Sequence, residues 1–155
     1  MSNQQRHLFG TDGIRGVAGE YPLDDAPVQA FGLAVGRWVQ RAGQTNRVLI
    51  GMDTRESSPR LAGLVAAGLS ASGAEPVLAG VIPTPAVAWL TRAMDFGAGV
   101  VISASHNPYR DNGLKVFTHS GFKLPDEEEA ALEKEILSLR ATIGQLATPE
   151  GQPDE

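Results

Sequence analysis

Three short apolar runs, each followed by a polar stretch, dominate the hydrophobic pattern in the middle of the chain. They occupy residues 48–52, 76–81 and 100–102. Continuous apolar runs of this length are typical of strands buried on both faces of a sheet. The pattern therefore predicts three strands, of which the one at residues 48–52 should be buried on both faces.

Around these runs, apolar residues recur every three or four positions, which predicts amphipathic helices. The first helix should run from Asp24 or Asp25 to about Ala42, with Trp38 on its apolar stripe. Ser58 and Thr84 each precede a proline, which favours an N-cap followed by a first helical turn.

A fourth helix is predicted after Pro125, where four acidic residues are favoured by the helix dipole. This acidic run is interpreted as a solvated face. The segment after it contains proline and glycine and is typical of a linker. We therefore expect one domain over residues 1–146 and a linker or frayed terminus over residues 147–155.

Alternation of strands and helices with short loops favours right-handed crossovers. The predicted fold class is α/β: a three-layer α/β/α domain with a mainly parallel (mixed) sheet. Loops that follow parallel strands emerge at one edge of such a sheet, where ligands bind.

The polar stretch after the run at 100–102 contains the residues of greatest chemical interest. Ser105 and His106 precede Asn107-Pro108, which favours a turn, and Asn112-Gly113 predicts a second turn before Lys115. A hydroxyl, an imidazole and an ammonium group are thereby held close together. The alternative is a polar loop whose side chains bond only to their own backbone.

Several cations are expected near this loop. Residues 8–16 are rich in glycine and are interpreted as a loop, from which Arg15 could bind an anion. Arg55 follows the first buried strand. Because the helices beginning at Ser58 and Thr84 direct their amino ends to the same edge, this edge should favour an anion such as phosphate.

Composition narrows the range of partners. The formal net charge is −5 and no basic run is present, so nucleic acid is a poor candidate partner. The amino terminus lacks the apolar core of a signal peptide, and no apolar run approaches a membrane span. Cysteine is absent, which fits a reducing compartment. These features favour a cytoplasmic protein.

Four motifs occur in the order used by the α-D-phosphohexomutases, and the chain resembles the amino-terminal domain of that family. Within it, the form of the first and last motifs is most similar to that of the bacterial phosphoglucosamine mutases. The motifs are Phe9-Gly10-Thr11-Asp12-Gly13-Ile14-Arg15-Gly16, Gly51-Met52-Asp53-Thr54-Arg55, Pro83-Thr84-Pro85-Ala86-Val87 and Ser103-Ala104-Ser105-His106-Asn107-Pro108.

The resemblance implies interconversion of glucosamine 6-phosphate and glucosamine 1-phosphate through a bisphosphate intermediate, which also serves as activator. Ser105 matches the phosphoserine, and Mg²⁺ in the family binds an oxygen of its phosphate. Lys115, Arg15 and His106 would supply positive charge, and either Lys115 or His106 could exchange the proton of the sugar hydroxyl.

Family members have four domains, and the resemblance covers only the first of them. We therefore expect the remaining metal ligands, and the other family domains as partners, to lie outside this chain, which makes activity of the isolated chain doubtful. Two alternatives stay open: a phosphomannomutase/phosphoglucomutase, or a non-catalytic module that binds phosphosugars.

Overall fold

A six-stranded sheet and four helices make up the part of the chain that the computed structural model describes, namely residues 8–10, 13–43, 45–104 and 107–147. In chain order the elements are β1 (Phe9–Gly10), β2 (Gly13–Val17), α1 (Asp25–Arg41), β3 (Arg47–Met52), α2 (Ser58–Ser72), β4 (Glu75–Val81), α3 (Thr84–Ala93), β5 (Ala98–Ile102), β6 (Asp111–Thr118) and α4 (Asp126–Ala147).

The sheet is mixed, with the strand order β1-β2-β6-β5-β3-β4. Strand β3 lies at the centre of a parallel set and pairs with both β4 and β5. The other three pairings are antiparallel. The mixed α/β fold is thus confirmed, but its parallel part is smaller than expected, because β6 follows β5 after a short loop and returns beside it.

The segment 8–16 was predicted as a loop, but its described residues contribute β1 and most of β2. Ile14 is buried, and β2 pairs with β6. Gly13 has a φ of +88°, and a Cβ there would lie 2.3 Å from the carbonyl oxygen of Leu114. In this segment glycine therefore permits a close approach of two strands rather than a loop.

The predicted turn at Asn112-Gly113 is also wrong, because both residues lie inside β6. The side chain of Asn112 is fully buried, and its Nδ2 donates to the hydroxyl oxygens of Ser57 and Ser58 at 2.8 and 3.0 Å. This anchoring holds a turn-forming residue type in an extended strand.

The helices begin close to the predicted positions, but their caps differ from the prediction. Ser58 and Thr84 are the first helical residues, and the N-cap positions belong to Ser57 and Pro83, neither of which forms a side-chain capping bond. The Ser58 hydroxyl instead donates to Oδ1 of Asp53 and accepts from Nδ2 of Asn112.

Two apolar cores lie on opposite faces of the sheet. The larger one joins the sheet to α1, α2 and α4. The smaller one lies beneath α3 and contains Leu49, Val87, Phe96 and Val101. The three-layer arrangement is therefore confirmed, and the loops at the edge of the sheet are supported from both sides.

The prediction of a solvated acidic face on α4 is confirmed for Asp126, Glu127 and Glu128, which are exposed, but it is wrong for Glu129. Glu129 and Glu133 are only 4% and 6% exposed. The Oε1 atom of Glu133 accepts from the backbone N–H of Phe9 at 3.1 Å, and Oε2 of Glu129 accepts from Lys123 at 3.2 Å. Trp38 packs at the rim of the larger core, and its Nε1 donates to Glu128.

The proposed linker remains a prediction. Helix α4 continues to Ala147, and residues 148–155 lie outside the described part of the chain. Within that part, no helix combines the length and the apolar character needed to cross a bilayer.

Candidate functional site

The loops after β3 and β5 start side by side at one edge of the sheet. The backbone N–H of Asp53 donates to the carbonyl oxygen of Ile102 at 3.0 Å, which joins the two strand ends. Helices α2 and α3 begin at this same edge, after β3 and β4. Their amino ends therefore add partial positive charge there.

Ser105 and His106, the two principal candidates, lie outside the described residues, but both of their flanks are described. Ala104 is buried, and its carbonyl oxygen accepts from the N–H of Asn107 at 3.0 Å. The N–H of Ser103 donates to the carbonyl oxygen of Gly113 in β6 at 3.0 Å. The chain is thus fixed immediately before and immediately after the candidate pair.

Arg15 reaches both flanks from β2. Its Nη1 donates to the carbonyl oxygen of Ala104 at 3.0 Å and to Oδ1 of Asn107 at 2.9 Å. Arg15 pairs across the sheet with Gly113, where a Cβ would lie 3.3 Å from its Cγ. The missing side chain at Gly113 therefore leaves room for Arg15 to extend over β6 towards the candidate serine.

Lys115 is half-buried on β6, directly opposite Val101 of β5. Because side chains alternate along a strand, Lys115 lies on the same face of the sheet as Arg15. Among the described residues it has no hydrogen-bond or ion-pair partner. It differs in this respect from Arg15.

Arg55 was expected to help bind an anion, but its guanidinium group is engaged with the protein. Its Nε donates to Oδ2 of Asp53 at 2.9 Å. Its Nη1 donates to the carbonyl oxygens of Pro108 and Asp111 at 2.7 and 3.1 Å, and Nη2 donates to that of Asn107 at 3.1 Å. Arg55 therefore holds the loop that follows the candidate pair.

The Asp53 carboxylate accepts several of these bonds. Burial would by itself raise its pKa. This effect is outweighed by hydrogen bonds from the backbone of Arg55, the hydroxyl of Ser58, the guanidinium of Arg55 and the side chain of Ser103, so that the pKa lies below the ordinary value. Asp53 is consequently an anion whose oxygens accept hydrogen bonds from neighbouring protein groups.

The described residues do not by themselves make a magnesium site. Within residues 8–10, 13–43, 45–104 and 107–147, no three His, Cys, Asp or Glu side chains come together in a group able to hold a metal ion. Since Mg²⁺ prefers several oxygen ligands, no chemical step is assigned to a metal on the basis of these residues.

Sequence reasoning missed the connected roles of Asp53, Ser58 and Asn112, although all three residue types were visible. One signal was available: an acid and an arginine two positions apart, directly after a buried strand. The bond between Asn112 and Ser58 and the bond between Arg55 and Asp111 each join positions more than 50 apart in the chain, and a single sequence does not reveal such pairs.

A mixed α/β sheet, with two helix amino ends and cationic side chains beside a serine-containing loop, is the arrangement of a domain that handles phosphate groups. Comparison with known families identifies the family of this chain. The chain belongs to the phosphoglucomutase/phosphomannomutase family and matches its alpha/beta/alpha domain I over residues 6–142.

Relatives and solved structures agree with this assignment. Phosphoglucosamine mutase from Solibacter usitatus is 62% identical over 135 residues, which is 87% of this chain and 30% of that protein. The enzyme of the same name from Koribacter versatilis is 54% identical over 136 residues, covering 88% of this chain and 29% of that protein.

A crystal structure of a phosphoglucomutase/phosphomannomutase family protein from Burkholderia thailandensis has a TM-score of 0.74 and 30% sequence identity. The match covers 86% of this chain and 30% of that one. This chain therefore spans about 30% of the length of the curated relatives it matches.

Proposed function

We propose that this chain is the part of a phosphoglucosamine mutase that carries the transferable phosphoryl group, and that Ser105 is the residue carrying it. The whole protein would interconvert glucosamine 6-phosphate and glucosamine 1-phosphate in the cytoplasm. The observation that carries the proposal is the contact of Arg15 with Ala104 and Asn107, which places a cation at both flanks of Ser105.

The proposed chemistry is a phosphoryl transfer in which positioning and charge neutralisation supply most of the catalysis. A sugar hydroxyl attacks the phosphorus of phosphoserine in line, forming an oxygen–phosphorus bond while the bond to Oγ of Ser105 breaks. The hydroxyl proton passes to whichever of Lys115 and His106 is unprotonated, and the other, in its protonated form, gives a proton to Oγ as it leaves. The resulting sugar bisphosphate rotates within the site and returns its other phosphoryl group to Ser105.

Lys115 and Arg15 would act on the charge that develops during this transfer. Both lie on one face of the sheet near the end of β5, where fixed cations stabilise a phosphoryl group without reorganising during the reaction. Mg²⁺, when bound, would offset charge on the phosphate. The group of this chain that would bind Mg²⁺ is an oxygen of the Ser105 phosphate. The bisphosphate sugar would serve as activator.

Intact-mass measurement and peptide mapping of the full-length protein, after exposure to hexosamine bisphosphate, test the proposal. We expect one added phosphate on the wild-type protein and none on Ser105→Ala. Ser57→Ala and Ser103→Ala are matched controls that should keep it. Phosphate mapped to Ser57 or Ser103 would show that the assignment is wrong.

A phosphomannomutase/phosphoglucomutase is the second candidate, because the Burkholderia thailandensis protein shares the fold and 30% of the aligned sequence. The higher identity to two phosphoglucosamine mutases favours the first candidate. Rates of the full-length protein on glucosamine, mannose and glucose 6-phosphates separate the two. No turnover of any of them would favour a non-catalytic binding module.

A further inference from the structure

Asn107, which follows the candidate pair directly, is held from two sides. Arg15 binds its side-chain oxygen, and Arg55 binds its backbone carbonyl oxygen. Arg55 also binds the carbonyl groups of Pro108 and Asp111. One guanidinium group therefore fixes three points along a loop of five residues.

The position of Arg55 is itself determined by Asp53. Two groups of Arg55, the side-chain Nε and the backbone N–H, donate to the two oxygens of this carboxylate at 2.9 and 3.0 Å. The side chain of Arg55 is only 10% exposed. Charge-assisted bonds in a largely buried setting are strong and directional, so the pair is a rigid link between the end of β3 and the loop.

We infer that Asp53 and Arg55 form a positioning pair for the loop that carries the phosphoryl group, a role that rests on the proposed function of Ser105. The pair acts through the backbone of residues 107–111, and Arg55 is therefore a positioning residue. It should affect the rate of transfer more than the affinity for sugar phosphate. An arginine is required, because an ammonium group lacks the fixed planar fork that reaches several carbonyl groups.

Arg55→Lys and Arg55→Met in the full-length protein test this inference. Arg60→Met is the matched control, because Arg60 also pairs with an aspartate, Asp25, but at a side chain that is 66% exposed. We expect both Arg55 variants to lower kcat at least about tenfold, as befits the loss of charge-assisted hydrogen bonds, with KM changed less than about threefold. Arg60→Met should leave both parameters unchanged.

Amide hydrogen exchange supplies a readout that does not depend on activity. The bond from Asn107 N–H to Ala104 and that from Asp111 N–H to Pro108 protect the two ends of the loop. In both Arg55 variants, exchange at these amides should accelerate at least about tenfold, while amides of β3 and β4 keep their rates. Arg55→Met leaves Asp53 without its cation, so this variant can lose the fold. If circular dichroism shows that it is unfolded, the result for Arg55→Lys decides the test.

Two results would overturn the inference. Full activity of Arg55→Lys would mean that charge alone is needed, and unchanged exchange in the loop would mean that Arg55 does not order it. Absence of phosphate on Ser105 of the wild-type protein would instead overturn the proposed function, and the positioning role with it. Measurement of phosphate on Ser105 tests the proposed function, and amide hydrogen exchange in the loop tests the positioning role. The two measurements therefore distinguish failure of one from failure of the other.

Discussion

Three cationic side chains of the site differ in how much of their hydrogen-bonding capacity the protein already uses. Arg55 is committed to Asp53 and to backbone carbonyl groups. Arg15 uses Nη1 for the flanks of Ser105. Lys115, in contrast, has no such partner within the described residues, and its part in exchanging a proton with a substrate stays a prediction.

Replacing Lys115 by methionine in the full-length protein should therefore lower turnover by roughly 10²-fold or more. Methionine keeps the length and apolar stem of lysine, so the fold should remain intact by circular dichroism. Steady-state mutase kinetics measure the effect, with Lys134→Met on the exposed face of α4 as control. Near-native turnover of Lys115→Met would identify Lys115 as an ordinary half-buried strand lysine.

At the scale of single residues, the sequence shows which residue types are present but not which hydrogen bonds they form. Lys115 and Arg15 were predicted as site residues, and both lie on one face of the sheet near the end of β5, while their roles in catalysis stay predictions. The role of Arg55 in holding the loop could not be predicted, because a sequence does not show that Pro108 and Asp111 supply carbonyl groups 53 and 56 positions away.

Among the elements, α1 and α2 make a close helix contact, and glycine permits it. A Cβ at Gly68 of α2 would lie 2.2 Å from the carbonyl oxygen of Gln29 in α1, and one at Gly32 of α1 would lie 2.3 Å from that of Val65. Both obstacles are backbone atoms, which cannot move aside as a flexible side chain does. The spacing of these two helices therefore depends on glycine.

Gly68→Ala should consequently lower the free energy of unfolding by about 1–3 kcal/mol, the usual cost of overpacking. Gly63→Ala, on the same helix, is the matched control, because a Cβ there would meet no described atom outside its own helix within 4 Å. At Gly63, better helix propensity should raise the free energy of unfolding by up to about 1 kcal/mol. Urea titrations of the 155-residue chain measure both, and equal effects would contradict the packing argument.

Periodicity predicted the type of the long elements well. Helices α1 to α4 and strands β3 and β5 follow patterns in which one face or both faces are apolar. Strand β4 is equally apolar in sequence, but it lies at the edge of the sheet, where Leu78 and Val81 are exposed. Strands β1 and β2 could not be predicted in this way. Strand β1 pairs with β2, and β2 pairs in turn with β6, which lies about 100 positions later; glycine is ambiguous without knowledge of these partners.

At the scale of the whole molecule, the 155-residue chain should fold alone but not turn over sugar phosphates. Folding is expected because the sheet and the two cores on its faces give a complete layered unit. Turnover is not expected, because the cations lie at an open edge of the sheet, where water weakens their interaction with phosphate.

A coupled mutase assay with Mg²⁺ and bisphosphate activator, run beside circular dichroism, tests this expectation. Cooperative unfolding without turnover agrees with it. Steady turnover by the purified monomer would show that residues of this chain suffice for catalysis, and a disordered spectrum would show that it is not an independent folding unit.

The pairing of β2 with β6 also has a consequence for the order of events during synthesis. Ile14 pairs with Leu114, so Arg15 cannot meet Ala104 until nearly the whole domain has left the ribosome. Contacts between such distant positions require closure of a long loop and form late in folding. A nascent or truncated chain that ends before β6 therefore lacks the cationic flank of Ser105, and the site becomes complete only as the domain itself does.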